Sequence, residues 1–211
     1  QTSAHSGKPV YVYMVQPVIA ALAAKLLEQD SAEVRVASLA HGKFYAAIVK
    51  DASEEIRGKD MAHGLARVGR EIDQVRRAVA WAQKQPGPEP DPEKDQLLRD
   101  LVVPLRSYAV GFRSLYREYG GWLDACREAC GRLEDKHGLV AVLRAQGDVS
   151  SFLQQHVEAL KCYEQALKHC QEIGDRPAEA KVCKALGDLA LRNGDLEGAE
   201  EQYQKALDAC K

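Results

Sequence analysis

"GDLALRNGDLEGAEEQYQKALDACK", residues 187–211, sets glycine, aspartate, alanine, tyrosine and an alanine-leucine pair at helical spacings. Moved back by 40 residues, Gly187-Asp188 falls on Gly147-Asp148. In the same shift Val182, Ala185, Ala199, Tyr203, Ala206, Leu207 and Cys210 fall on Val142, Ala145, Ala159, Tyr163, Ala166, Leu167 and Cys170. Self-similarity at a fixed period of roughly 20 to 50 residues marks a solenoid, whose units bury their apolar faces only against their neighbours.

The shift also lays Cys130 to Asp135 on Cys170 to Asp175, which points to a degenerate earlier copy. The spacing predicts three hairpins: 105–119 with 122–135, separated by Gly120-Gly121; 139–152 with 156–173; and 178–192 with 196–210. Upstream, "VYVYMV" at 10–15 is β-branched and aromatic and reads as extended, after a polar start at 1–9. A helix is expected from 18 to 29, another from Ser31 to about Ile56, and a third capped by Asp60. The third carries the seam Leu65, Val68, Ile72, Val75, Val79, in steps of three and four. "QPGPEPDPEK" at 85–94 holds four prolines and reads as a linker, after which Leu98, Leu101, Leu105, Tyr108, Phe112, Leu115 and Tyr119 continue the same stepping. Pro104 is expected to break or kink that helix near Val103. The whole reads as all-α: an extended segment at 1–16, a helical bundle at 17–104 and a repeat array at 105–211, with units at 105–138, 139–177 and 178–211.

Composition is that of a globular protein, 45% apolar and 28% charged, with a net charge of -2. Residues 1–85 hold 12 Lys/Arg against 9 Asp/Glu, and residues 86–211 hold 17 against 22. Neither part has the concentrated positive charge that nucleic acid requires. The longest apolar run, "VIAALAA" at 18–24, is too short to span a bilayer and lacks the basic cluster of a secretion signal. With no initial Met, a piece of a longer protein is expected. All six cysteines lie from Cys126 to Cys210 and mostly share helical positions with Ala and Leu, which reads as free thiols in a reducing, cytoplasmic setting. Cys126-x3-Cys130 with His137 supplies only three candidate zinc ligands and reads better as core packing, so neither metal nor cofactor is expected.

At residues 139–211 the chain resembles the tetratricopeptide repeat family, in its form with a 40-residue unit and an "EIGDR"-like turn, as in Pins-type adaptors and kinesin light chains. Leu186, Gly187, Gly194, Ala199, Tyr203 and Ala206 stand at the family's leucine, close-packing glycine, turn glycine, small residue, aromatic and alanine. The preceding unit keeps Leu143, Gly147, Ala159, Tyr163 and Ala166, with Gln146 where leucine is usual and "FLQQHVE" at 152–158 in place of a clear turn. Glycine and alanine let paired helices approach, and the aromatic and alanine form the face that accepts the next unit.

The resemblance implies a protein-interaction adaptor or scaffold that holds a peptide in the groove lined by the first helix of each hairpin. The groove candidates are Arg144, Asp148, Ser151, Lys181, Lys184, Asp188 and Arg192, whose basic members suit an acidic peptide. Asp148 and Asp188 stand where the chaperone-tail clamp has asparagines, which disfavours a chain-terminal carboxylate. Solvated helix faces are the plainer alternative. Another is a structural or regulatory segment of a larger protein, in which the Tyr203, Leu207 and Cys210 face takes further repeats or a second copy. A membrane surface for Lys59, Arg67, Arg70, Arg76 and Arg77 ranks lower, because Glu71 and Asp73 interrupt that face.

No phosphate-cradling glycine loop, metalloprotease helix or nucleophile elbow appears, so catalysis is not expected. His5, His41, His63, His137, His156 and His169 are scattered. His169 and Cys170, adjacent on a helix, point about 100° apart and cannot act as base and thiol.

Overall fold

A computed structural model describes residues 31–84 and 90–210. The segment expected to be extended at 10–15, the helix expected at 18–29 and residues 85–89 of the proline stretch lie outside them. The chain divides into two compact units, Gln1–Ser38 and Leu39–Lys211. The second unit holds both the helices read as a bundle and those read as repeats.

The helices are α1 Ser31–Arg57, α2 Met61–Gln83, α3 Pro92–Val102, α4 Arg106–Ala109, a 3₁₀ turn at Arg113–Leu115, α5 Tyr116–Arg132, α6 Lys136–Phe152, α7 His156–Ile173, α8 Arg176–Arg192 and α9 Leu196–Ala209. The described residues contain no strand. From α5 onward a helix begins every 20 residues, because the chain repeats one turn. Glu134, Gln154, Gly174 and Gly194 take φ of 53°, 63°, 70° and 80°. The next amide then donates to the carbonyl five residues back: Asp135 to Cys130 at 2.9 Å, Gln155 to Ser150 at 2.8 Å, Asp175 to Cys170 at 3.0 Å and Asp195 to Ala190 at 3.0 Å. That bond satisfies a carbonyl the ending helix leaves open.

The same four residues start the following helix. Asp135, Asp175 and Asp195 accept from the amides of Gly138, Ala178 and Gly198 at 2.8, 2.9 and 2.9 Å, while Gln155 makes no side-chain cap. So the "FLQQHVE" stretch does form the turn, with Gln154 in the left-handed conformation that glycine adopts forty residues later.

One expectation is overturned. Gly120 and Gly121 do not separate two helices but lie inside α5. Two helical glycines cost about 2 kcal/mol together relative to alanine. Against this, α5 buries Tyr116, Tyr119, Leu123, Cys126, Ala129 and Cys130 along one stripe. The interruption falls earlier: Pro104 ends α3 at Val102, as expected, and Gly111 ends the short α4. The hairpin expected from 105–119 and 122–135 is therefore replaced by α3 paired with α5. Tyr119, Leu123, Cys126 and Cys130 stand forty residues before Ala159, Tyr163, Ala166 and Cys170, so α5 is the second helix of its hairpin.

Tyr119 repairs the break. Its hydroxyl, fully buried, donates at 3.1 Å to the Val102 carbonyl, at the end of α3 where Pro104 interrupts the helix. Burial holds the phenol well above its usual pKa. Upstream, Val68, Val75 and Val79 of α2 are buried, and Gly64 fits against the Ala52 carbonyl of α1. The Lys94 ammonium takes the last carbonyls of α2, at Trp81 (3.3 Å) and Lys84, and sits 4.3 Å from the centre of the Trp81 ring.

Helix α6 joins two cores. Val142, Ala145 and Val149 pack with the helices before it, while Val140 and Leu143 pack with Tyr163, Ala166, Cys170, Val182 and Leu186. The residues expected to pack the repeats lie at these contacts: a Cβ on Gly147 would strike the Tyr163 ring, and one on Gly187 would lie 2.6 Å from Cε1 of Tyr203. Ala159, Ala166 and Ala199 are buried; Tyr203 and Ala206 are half-buried, Leu207 is 60% exposed and Cys210 is exposed.

Candidate functional site

Three cavities run in series, each sharing wall residues with the next. The first, about 500 Å³, lies between α1, α3 and the start of α6 and includes Lys43, Lys50, Arg99 and His137. The second, about 430 Å³, is bounded by Lys50, Ser53, Glu54 and Arg57 of α1, by Val103 to Ser107, and by Arg144 of α6 and Lys181 of α8. The third, about 200 Å³, lies between Arg106, Asp148, Ser151, Asp188 and Arg192. Together they make a groove.

The structure brings six of the seven residues expected in the groove to its walls. Arg144 and Lys181 meet in the second cavity. Asp148, Ser151, Asp188 and Arg192 meet in the third. Lys184 lines none of the three; 67% exposed, it pairs with Asp188 at 2.8 Å.

Most of these residues are held in place. Asp148, buried, accepts from the Tyr163 hydroxyl at 2.8 Å and from Nε of Arg106 at 2.5 Å. Asp188 accepts from the Tyr203 hydroxyl at 2.8 Å. Arg192 donates to Oγ of Ser151 at 3.0 Å and lies 4.8 Å from the centre of the Phe152 ring. Arg144 differs: half-buried, it makes no hydrogen bond or ion pair among the described residues. Burial, with the positive charge of Arg106 beside it, lowers its pKa, and Asp148 opposes this.

Sequence reasoning missed Lys43, Lys50, Ser53, Arg57, Arg106 and Ser107. A signal existed for three of them: Lys43, Lys50 and Arg57 are seven residues apart and so share one stripe of α1. Arg106 carried none, because the short helix α4, which has no counterpart at the 40-residue shift, delivers it.

The other expected sites resolve as structure. Arg67 of α2 pairs with Glu55 at 2.8 Å and Asp51 at 3.6 Å, and Arg76 with Glu118 at 2.9 Å and Asp73 at 2.8 Å, so carboxylates occupy much of the arginine face. Cys126, Cys130, Cys170 and Cys183 are buried core residues. His137 instead faces Asp175, its Nδ1 2.9 Å from the carboxylate. His169 turns to Glu172 at 3.1 Å, and burial pushes the Cys170 thiol up to about 11. No helix of the described residues is long and apolar enough to cross a membrane.

Among solved structures, the chain is similar to BtubC (BKLC) from P. vanneervenii, with 14% identity and a TM-score of 0.54 over 85% of this chain and 74% of that one. At that identity the likeness is one of fold, and it extends the helical-repeat architecture well upstream of residue 138. No curated protein matches. Residues 138–211 match the family described as tetratricopeptide repeat, the same stretch in which glycine, alanine and tyrosine recur at 40 residues. By sequence and by helix packing, residues 138–211 are a tetratricopeptide repeat segment.

Proposed function

We propose that the chain is a non-catalytic adaptor of the cytoplasm, holding an acidic segment of a partner protein in the groove between α1, α3, α6 and α8. Tetratricopeptide repeats serve protein–protein interaction in general, and the charge of this groove supplies the finer reading. The carrying observation is that Lys43, Lys50, Arg57, Arg106, Arg144, Lys181 and Arg192 line three adjoining cavities. The carboxylates among them are largely engaged: Asp100 by Arg99, Asp148 by Arg106 and Tyr163, and Asp188 by Tyr203 and Lys184. An extended acidic chain would meet successive cations along the groove.

The test is fluorescence anisotropy with a labelled glutamate-rich decapeptide against a lysine-rich one. The glutamate peptide should bind, with affinity falling as salt rises, and the triple variant Lys50→Glu, Lys181→Glu, Arg192→Glu should lose at least tenfold at unchanged helical content. Equal affinity for the two peptides, or no loss in the variant, would sink the reading.

A further inference from the structure

The middle cavity has a chemistry of its own. Arg57, Arg106, Arg144, Lys50 and Lys181 come to it from α1, from the 103–107 segment, from α6 and from α8. Asp148 offsets Arg106, and Glu54, exposed on the rim, offsets one more. An excess of about three positive charges remains. Two hydroxyls sit among them: Ser53 Oγ, 4% exposed, and Ser107 Oγ lie 3.4 Å apart. Hydroxyls paired, among the described residues, only with each other keep donor and acceptor capacity for a third group.

Arg144 gives the direction. A half-buried guanidinium without a hydrogen-bond partner among the described residues is held at a desolvation cost, next to a second guanidinium that repels it. An anion bridging Arg144, Arg106 and the lysines would remove both penalties. A single carboxylate offers one charge and two oxygens, which leaves most of the excess unanswered. A phosphomonoester offers a charge near -2 and three acceptor oxygens, and takes a forked guanidinium together with hydroxyl and ammonium donors.

We infer that this cavity is a phosphomonoester site, built to take a phosphorylated serine or threonine side chain carried by the segment that lies in the groove. The inference rests on the acidic-segment reading above and sharpens it: partner binding is then switched by phosphorylation of the partner.

The probe is a labelled decapeptide of glycine, serine and aspartate with one central phosphoserine, compared by anisotropy with the same peptide carrying serine or glutamate there. The phosphoserine form should bind at least tenfold tighter than the glutamate form, and millimolar phenyl phosphate should displace it. Arg144→Gln should abolish that tenfold preference, so that the phosphoserine and glutamate forms bind the variant alike. Lys181→Gln, at an exposed position remote from the core, should reduce the preference about threefold and serves should Arg144→Gln fail to fold. Equal affinity for phosphoserine and glutamate, or a preference that survives both substitutions, overturns the phosphomonoester site and leaves the acidic groove standing. Failure of all three peptides to bind overturns both.

Discussion

The Tyr163 hydroxyl donates to Oδ1 of Asp148 at 2.8 Å, tying the outer helix of its hairpin to the inner one. Forty residues on, Tyr203 and Asp188 repeat the bond at 2.8 Å, in different surroundings. Asp148 is 8% exposed and also bound by Arg106, whereas the Asp188 side chain is 44% exposed beside Lys184. Tyr163→Phe should therefore cost about 1–3 kcal/mol and Tyr203→Phe about 0.5 kcal/mol, because only the first leaves a buried acceptor short of a donor. Urea unfolding of the two variants measures this; equal losses would contradict it.

Each tyrosine ring lies where a side chain on the facing glycine would stand. Gly187→Ala puts a methyl 2.6 Å from Cε1 of Tyr203, and the ring must move. A loss of about 1–3 kcal/mol is expected, although alanine is the better helix former by about 1 kcal/mol. Thermal melts of the single variant and of Gly187→Ala with Tyr203→Leu separate the causes. The double variant should recover most of the loss if crowding is responsible.

The α6–α7 turn uses Gln154 and Gln155 where the α8–α9 turn uses Gly194 and Asp195. Gln154 holds φ of 63°, and Gln155 gives α7 no side-chain cap. Gln154→Gly and Gln155→Asp should each stabilise by about 1 kcal/mol, additive in the pair. A denaturant midpoint that fails to rise in the double variant would show that the turn is already relaxed.

Helices α3 and α5 are clamped by Arg132, which meets Asp95 through Nε at 2.8 Å and Nη2 at 2.7 Å, with Asp95 1% exposed. Arg132→Met should cost about 3–5 kcal/mol by leaving a buried carboxylate without that partner. Adding Asp95→Leu should restore much of it. If the double variant is no better than the single, the arginine matters for its packing and not for its charge.

Acid should loosen the repeats through their caps. The Ala178 amide holds the Asp175 carboxyl below the usual carboxylate range, with help from His137. A depressed folded pKa gives stability that is present above the unfolded value, about 3.9, and is lost as pH falls through the folded one. Stability should decline below about pH 4, and Asp175→Asn should flatten that decline while losing about 1 kcal/mol at pH 7. Parallel acid limbs for the two proteins would place the loss elsewhere.

The sequence exposes much of this architecture because period and chemistry agree over residues 136–210. There Gly147, Gly187, Tyr163 and Tyr203 mark close approaches, and helix ends follow from Gly174, Asp175, Gly194 and Asp195. Before residue 136 they separate. Glycine in α5 is a local stop signal that the burial of Leu123, Cys126 and Cys130 overrides, and Glu134 makes a glycine-like turn that no propensity announces. The groove was legible only on its repeat side. Arg106 reaches Asp148 across 42 residues from the start of the short α4, and only the folded chain brings the α1 stripe of Lys43, Lys50 and Arg57 opposite Arg144 and Lys181.

The turn that recurs at 134, 154, 174 and 194 serves equally within a hairpin and between hairpins. A spacing of twenty residues per helix therefore has parity. Duplicating or deleting forty residues would lengthen or shorten the groove by one helix and leave every other helix facing as before. Doing so with twenty would leave each joint sound yet exchange inner and outer helices beyond it, turning cation-bearing positions toward solvent. Growth of such a chain is permitted in pairs of helices, which is a rule written in its connections and not in its core.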